Sequence, residues 1–245
     1  MNGLKYAEWA KHYDPEQKEI MYLLNNGINF EGKKILEVGC GTGRFTERIL
    51  PHCSEIHCID PDKRALDVLN SNLDDSRLTI SCGTLETVPV NQNYYDYVIF
   101  SWSMYLINNK EQNLILAYSS LVQDGCVIIL QANSGEYEEE IAQLYSNYDS
   151  LSAYQTAYDF LPDIIKKVFG NVVCDIIHTY FYFDSIEQII ENSLFFIEDE
   201  EGHTPSEKAI DLLRKRLAAY IIADGKVKLS DDVSLFIAKK GANNE

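Results

Sequence analysis

Residues 35–50, ILEVGCGTGRFTERIL, set Gly39, Gly41 and Gly43 at alternate positions directly after an apolar run, with Glu37 two residues ahead. Glycine has no Cβ, so a turn built on these three residues can take positive φ angles and let a ligand approach the backbone. The dinucleotide fingerprint Gly-x-Gly-x-x-Gly fits poorly, because Arg44 stands where its third glycine belongs. A carboxylate at Glu37 would repel a diphosphate and suits a cationic ligand instead. The second carboxylate of interest is Asp60 in HCIDPD, at the end of another apolar run. An acid there can accept hydrogen bonds from both hydroxyls of a ribose. Its alternative role is to cap a helix starting near Pro61, and the two roles are compatible in part.

The stretch Glu37-Val38-Gly39-Cys40-Gly41-Thr42-Gly43 resembles the first motif of the class I S-adenosylmethionine-dependent methyltransferases of the small-molecule type. That resemblance implies that Gly39, Cys40, Gly41 and Gly43 wrap the methionine and ribose portions of the cofactor. It implies further that Glu37 holds the ammonium group and that Asp60, followed by Pro61, meets the ribose. SCGTLETVP is similar to the family's third motif, but Thr84 replaces the acid that often binds the adenine amino group. Either its hydroxyl or Glu86 would take that bond, and the Leu85 backbone would meet the adenine ring. YYDYVIFSWSMYL resembles the fourth motif, with Asp96 structural and Ser101, Trp102 and Met104 along the pocket; Trp102 equally fits an ordinary packed aromatic. Gln131 and Asn133 fall at the pocket end of the fifth strand. EWAKHYD is similar to a Tyr-Asp cap segment, which implies that Tyr13 contacts the cofactor. His12 beside it is the candidate catalytic base, against the plainer reading of a solvated helix histidine. His52, His57, His178 and His203 show no spacing that suggests a metal site or a triad. The resemblance covers residues 10–132 and concerns only architecture beyond them.

These residues need a scaffold, and the pattern supplies one. From Lys33 onward, apolar runs (KKILEVG, EIHCID, RLTISCG, YDYVIFSWS, GCVIILQA) alternate with amphipathic segments, which predicts parallel strands joined by right-handed helical crossovers. The expected fold is α/β: a Rossmann-like, doubly wound, mostly parallel seven-stranded sheet with an N-terminal helical cap and a helical lid insertion. Ligands of such sheets bind beyond the carboxyl ends of the strands, where strand order reverses. The chain reads as one domain over residues 1–245: a cap (1–30), a cofactor-binding core (31–132), a lid (133–170) and a C-terminal part (171–245) whose last strand returns to the sheet edge. Tyr137, Tyr145, Tyr148, Tyr154 and Tyr158 could form an aromatic lid, although helical spacing fits plain burial equally.

Twenty-one basic residues against 38 acidic ones give a formal charge of −17. That balance argues against nucleic acid and acidic membranes as partners and favours a neutral or cationic acceptor. No run of 18 or more apolar residues occurs and the opening residues lack a secretory h-region, so a cytoplasmic location is expected. The six cysteines form no CxxC pair and read as reduced packing thiols. Methyl transfer from a sulfonium already has a good leaving group, so alignment and exclusion of water matter more than a signature acid or base. The expected activity is N- or O-methylation of a small molecule. The alternatives are a peptide or protein methyltransferase, or a non-catalytic regulator that binds S-adenosylmethionine or S-adenosylhomocysteine.

Overall fold

The computed structural model describes residues 8–142, 144, 160–201 and 204–241. Five strands and their crossovers come first: β1 (Lys34–Val38), β2 (Glu55–Asp60), β3 (Leu78–Cys82), β4 (Tyr95–Ser101) and β5 (Leu121–Ala132). Helix α1 (Lys18–Asn25) precedes them, and α2 (Arg44–Ile49), α3 (Lys63–Asn72) and α4 (Lys110–Ser120) lie between them in the chain. Then follow α5 (Glu136–Ala142), α6 (Leu161–Phe169), β6 (Val173–Phe183), α7 (Ile186–Glu201), α8 (Glu207–Leu217) and β7 (Val227–Lys239).

The seven strands form one sheet in the order β3-β2-β1-β4-β5-β7-β6. Pairing is parallel between β1 and β2, β1 and β4, β2 and β3, and β4 and β5. β1, β2 and β4 read as near-continuous apolar runs because helices cover both faces of a parallel sheet. Strand order reverses between β1 and β4, which makes their carboxyl ends the topological switch point.

Local signals set the helix ends. The Asp62 carboxylate accepts from the Arg64 N–H at the start of α3, and the Asn109 side chain accepts from the Gln112 N–H at the start of α4. Pro162 opens α6, and Gly170 in the left-handed region closes it.

Two compact units make up the chain. The larger comprises residues 20–131, 157–176 and 234–245, and the smaller comprises 1–19, 132–156 and 177–233. The core of the larger unit is built from Val98, Phe100, Val127 and Ile129 of the central strands, with Leu114 and Ala117 of α4 against them. Leu161, Ile165 and Phe169 of α6 join that cluster. Residues 161–169, expected as part of the lid, are therefore a core helix of the larger unit. The smaller unit packs Trp9, Tyr13, Tyr137, Phe181 and Phe183 ring against ring, with centroids of Tyr137 and Phe181 stacked 4.2 Å apart. Each such buried ring contributes about 1.5–3 kcal/mol. Of the lid tyrosines, Tyr145, Tyr148, Tyr154 and Tyr158 lie outside the described residues.

The expectation for the last strand is corrected. β7 lies between β5 and β6, and the sheet edge on that side is β6. β7 runs for 13 residues, starting well before the apolar VSLFIAKK, because alternating residues from Val227 onward are buried too.

Candidate active site

The glycine turn sits at the end of β1, beside the switch point. Its three glycines all lie at positive φ, 76° at Gly39, 55° at Gly41 and 90° at Gly43, but for different reasons. A Cβ on Gly39 would stand 2.3 Å from the Ser103 Cβ, and a Cβ on Gly43 would stand 2.3 Å from Leu69 Cδ1. Those two are small because the protein itself presses on them. A Cβ on Gly41 would meet nothing within 4 Å, so this glycine faces open space where a ligand can reach the backbone. Ser103 further donates its hydroxyl to the Val38 carbonyl at 2.6 Å, tying the loop after β4 to the end of β1.

Glu37 is buried on β1 and accepts a 2.6 Å hydrogen bond from the Thr46 hydroxyl in α2. Burial is the main influence on its acidity and pushes the carboxyl up to about 7, while Thr46 and the charge of Arg44 act in the opposite direction. The Cys58 thiol also points at the same carboxylate oxygen, at 3.9 Å. Cys40, in the turn, is buried, and the hydrogen bond with Cys58 and desolvation push its thiol pKa well above the usual value. It is a packing thiol in its un-ionised form.

Asp60 ends β2 and organises the turn. Its Oδ2 accepts from the Gly41 N–H at 2.8 Å and its Oδ1 from the Asp62 N–H at 2.8 Å. The cap of α3 is Asp62 and not Asp60, because Asp60 folds its carboxylate back over the glycine turn while Asp62 meets the helix amides. Burial raises the Asp60 pKa, and the two backbone donors act against that shift. Each carboxylate oxygen has a second lone pair, so both can still accept from a ribose. Pro61, next in the chain, is exposed.

The ends of β3 and β4 complete the rim. Thr84 is exposed, and its N–H and hydroxyl both meet Thr87 Oγ1, at 2.9 and 3.3 Å. Leu85 buries its side chain in the core, leaving its backbone as the part that a ligand could meet. Glu86 accepts from Asn113 Nδ2 of α4 at 3.0 Å. Ser101 accepts from Arg44 Nη2 at 3.1 Å, and the same guanidinium lies 6.0 Å from the Trp102 ring centroid. Trp102 has a φ of 55°, a strained value for a non-glycine residue, and its N–H is fixed on the Leu130 carbonyl at 2.8 Å. Met104 is fully buried and packs the core. Asp96 is structural as expected, bonding Lys33 Nζ and the Lys34 N–H at 2.9 Å each.

Residues 35–125, the segment from β1 into β5, match a family model described as a methyltransferase domain. The chain is an S-adenosylmethionine-dependent methyltransferase. An uncharacterized methyltransferase of Staphylococcus carnosus is 26% identical over 191 residues, covering 68% of this chain and 89% of its own. Protein arginine N-methyltransferase 1 of Chlamydomonas reinhardtii is 23% identical over 195 residues, covering 74% of this chain and 54% of its own. In fold, the methyltransferase is similar to Haemonchus contortus phosphoethanolamine N-methyltransferase 2 in complex with phosphomonomethylethanolamine and S-adenosylhomocysteine. The TM-score is 0.62 at 18% identity, with 98% of this chain and 57% of that chain covered. The methyltransferase thus spans little more than half the length of the algal and nematode proteins.

Glu37, Gly39, Cys40, Gly41, Gly43, Asp60, Pro61, Thr84, Leu85 and Ser101 all belong to the larger unit of this methyltransferase, whereas His12 and Tyr13 belong to the smaller. There, Tyr13 is buried and donates its hydroxyl to Glu19 Oε1 at 2.9 Å. His12 stacks on Phe183 and places Nδ1 3.1 Å from the Tyr182 carbonyl. A carbonyl only accepts, so Nδ1 carries the proton and Nε2 the lone pair. Burial lowers the His12 pKa, which keeps the ring neutral at pH 7.

Two contributors escaped the sequence pattern. Thr46 holds Glu37 and Ser103 fills the space that Gly39 leaves. Gln131 is 1% exposed at the end of β5, and among the described residues its Oε1 has no hydrogen-bond partner. The clue for Thr46 was its position in the first turn of the helix following the glycine turn, where a side chain points back towards the strand end.

Proposed function

We propose that this methyltransferase transfers the methyl group to a small-molecule acceptor, to nitrogen in the first place and to oxygen in the second, in the cytoplasm. The observation that carries the proposal is the pairing of an acidic chain, −17 in formal charge overall, with a glycine turn that opens on free space at Gly41 and is flanked by two buried carboxylates. Acidic surroundings raise the local concentration of a cationic or neutral acceptor and disfavour a phosphate-rich one. Two of the named relatives carry nitrogen methylation in their names, which supports the first choice of atom.

The residues fit the cofactor. Open space lies in front of Gly41, and Glu37 and Arg44 present opposite charges of the kind found on the amino-acid end of S-adenosylmethionine. In this proposal Glu37 takes the ammonium group, Arg44 the carboxylate and Asp60 the ribose, with Pro61 beside it. Thr84 and the Leu85 backbone receive the adenine, and Gly39, Cys40, Gly41, Gly43 and Ser101 form the wall. Tyr13 offers a ring contact. The cofactor supplies a methyl carbon already activated by a sulfonium, so the chain's contribution is to orient the acceptor and keep water away. Where the acceptor must shed a proton, the Nε2 lone pair of His12 is the proposed base.

A peptide acceptor is the second reading, favoured by the similarity to a protein arginine N-methyltransferase. Transfer of labelled methyl groups to a panel of small amines, phenols and arginine-containing peptides separates the two. Turnover of amines or phenols in preference to peptides supports the proposal, and turnover of peptides alone overturns it.

A further inference from the structure

The inward face of β7 contains an unexpected group. Val227, Leu229, Val233 and Leu235 are buried at alternate positions, and Asp231 occupies the middle of that row at 3% exposure. Strand alternation puts its side chain on the face where only apolar residues belong. Among the described residues, its carboxylate has neither a hydrogen-bond nor an ion partner. The first turn of α5 is anchored over it. The Asn133 N–H donates to the Asp232 carbonyl at 2.8 Å, the Asp232 N–H to the Ser134 carbonyl at 3.0 Å and the Ser230 N–H to Glu136 Oε2 at 2.9 Å. Gly135 lies so close that a Cβ there would stand 2.6 Å from the Asp231 Cα.

That anchoring brings Glu138, also without a partner among the described residues, within electrostatic range of Asp231. Glu19, buried at the start of α1, adds a third acid, which the Tyr13 hydroxyl approaches at 2.9 Å. Thr179 donates to Tyr13 Oη at 3.1 Å and also contacts the Asp231 carbonyl, linking the ring to the acid pair. Tyr137 stands next to Glu138 and takes a 2.8 Å bond from Trp9 Nε1. The nearby basic groups are committed elsewhere: Arg216 to Glu140, His178 to Asp232, and Lys228 over the rings of Tyr180 and Tyr182.

We propose that Asp231 and Glu138, bordered by the rings of Tyr13 and Tyr137, form a site inside the smaller unit for an organic ammonium ion. Buried carboxylates without internal cations call for a positive ligand, and aromatic rings beside them suit alkylated nitrogen. A metal ion fits less well, since among the described residues no three acidic, histidine or cysteine side chains are arranged to hold one. Such a ligand belongs to the amine class proposed above as methyl acceptor, and only the step from ligand to acceptor rests on that reading.

Burial pushes the Asp231 pKa well up and that of Glu138 to about 7. The other titratable groups facing the pair are Glu19, Glu139, Asp232, Tyr13 and Tyr137. Ammonium binding therefore releases protons near neutrality and tightens as pH rises. The test is calorimetric titration of the full chain with trimethylammonium and tetramethylammonium chloride at pH 6 and pH 8, with tert-butanol as neutral counterpart and sodium and magnesium chloride as inorganic controls. Saturable ammonium binding that is at least about tenfold tighter at pH 8 and accompanied by proton release is expected. Asp231→Asn and Glu138→Gln should each weaken it by about tenfold or more, with S-adenosylhomocysteine affinity unchanged. Glu138 is only half-buried, so Glu138→Gln serves should Asp231→Asn fail to fold. The site is overturned if no ammonium ion binds, if tert-butanol or the inorganic cations bind as well as the ammonium ions do, or if both variants retain wild-type affinity. Ammonium ions that bind without any amine being methylated, while S-adenosylmethionine still binds, leave the site standing and overturn the amine-acceptor reading alone.

Discussion

The two units bury acids in opposite ways. In the larger unit, Glu37 lies inside the sheet but accepts from Thr46 and feels the charge of Arg44, which holds its pKa to about 7. In the smaller unit, Asp231 is equally deep, has no such compensation among the described residues, and burial pushes its pKa well above the ordinary carboxylate range. A partly compensated acid can ionise at neutral pH and needs only modest help from a cationic ligand. An uncompensated one stays protonated until a cation arrives. The difference separates a carboxylate that reaches its charged form near neutral pH from one that stays neutral in the ligand-free chain.

The largest expected effect breaks the geometry of the larger unit and leaves the smaller one alone. Gly39→Ala should destabilise the protein by about 2–4 kcal/mol, because the new Cβ overlaps Ser103 and the residue sits at positive φ. Gly41→Ala should cost only about 1–2 kcal/mol, from its backbone angle alone, yet lose most cofactor affinity. Denaturant unfolding and calorimetry on both variants check this; equal destabilisation would show that the space at Gly41 is not the ligand's.

Next comes pH. Glu37 has a folded pKa of about 7 against an ordinary value of 4.5, so it stabilises the ligand-free protein fully below about 4.5, and that stability is lost as pH rises through about 7. Each pKa unit corresponds to about 1.36 kcal/mol. Glu37→Gln should therefore raise the stability of the ligand-free chain at pH 8 by about 1–3 kcal/mol relative to wild type, with little change at pH 4.5, and should weaken cofactor binding. Asp231→Asn should behave alike in stability and leave cofactor binding intact. If both variants weakened the cofactor equally, the contrast between the units would be lost.

Asp60→Ala should reduce cofactor affinity by about 1–3 kcal/mol, since it removes both the proposed ribose acceptor and the bond that holds the Gly41 N–H. Unchanged affinity in a folded variant would refute the ribose assignment. The smallest effect concerns Asp96→Asn, which should cost about 1 kcal/mol of stability through the Lys33 and Lys34 bonds and leave the cofactor untouched.

What the sequence revealed follows physical range. The glycine turn, Glu37 and Asp60 were legible because a turn at positive φ after an apolar run is a local signal, written in adjacent residues. The roles of Thr46 and Ser103 were not, since each depends on a side chain from a separate element meeting the strand end. The place of β7 between β5 and β6 was equally hidden, because pairing across distant segments leaves no trace in periodicity. Asp231 lay in plain view in VKLSDDVSLF, an acid at an inward position of a strand with period two, but that strand was read as starting later. His12 shows a third case: its lone pair is set by the carbonyl of Tyr182, far away in sequence.

The central claim is that Glu37, the glycine turn and Asp60 together hold S-adenosylmethionine. The most direct measurement is calorimetric titration of wild type and Glu37→Gln with S-adenosylmethionine and S-adenosylhomocysteine at pH 6 and pH 8. Binding of both by wild type in the micromolar range, tighter at pH 8, with the pH dependence lost in Glu37→Gln, is the predicted result. Absence of binding by wild type, or the same pH dependence in the variant, would contradict it.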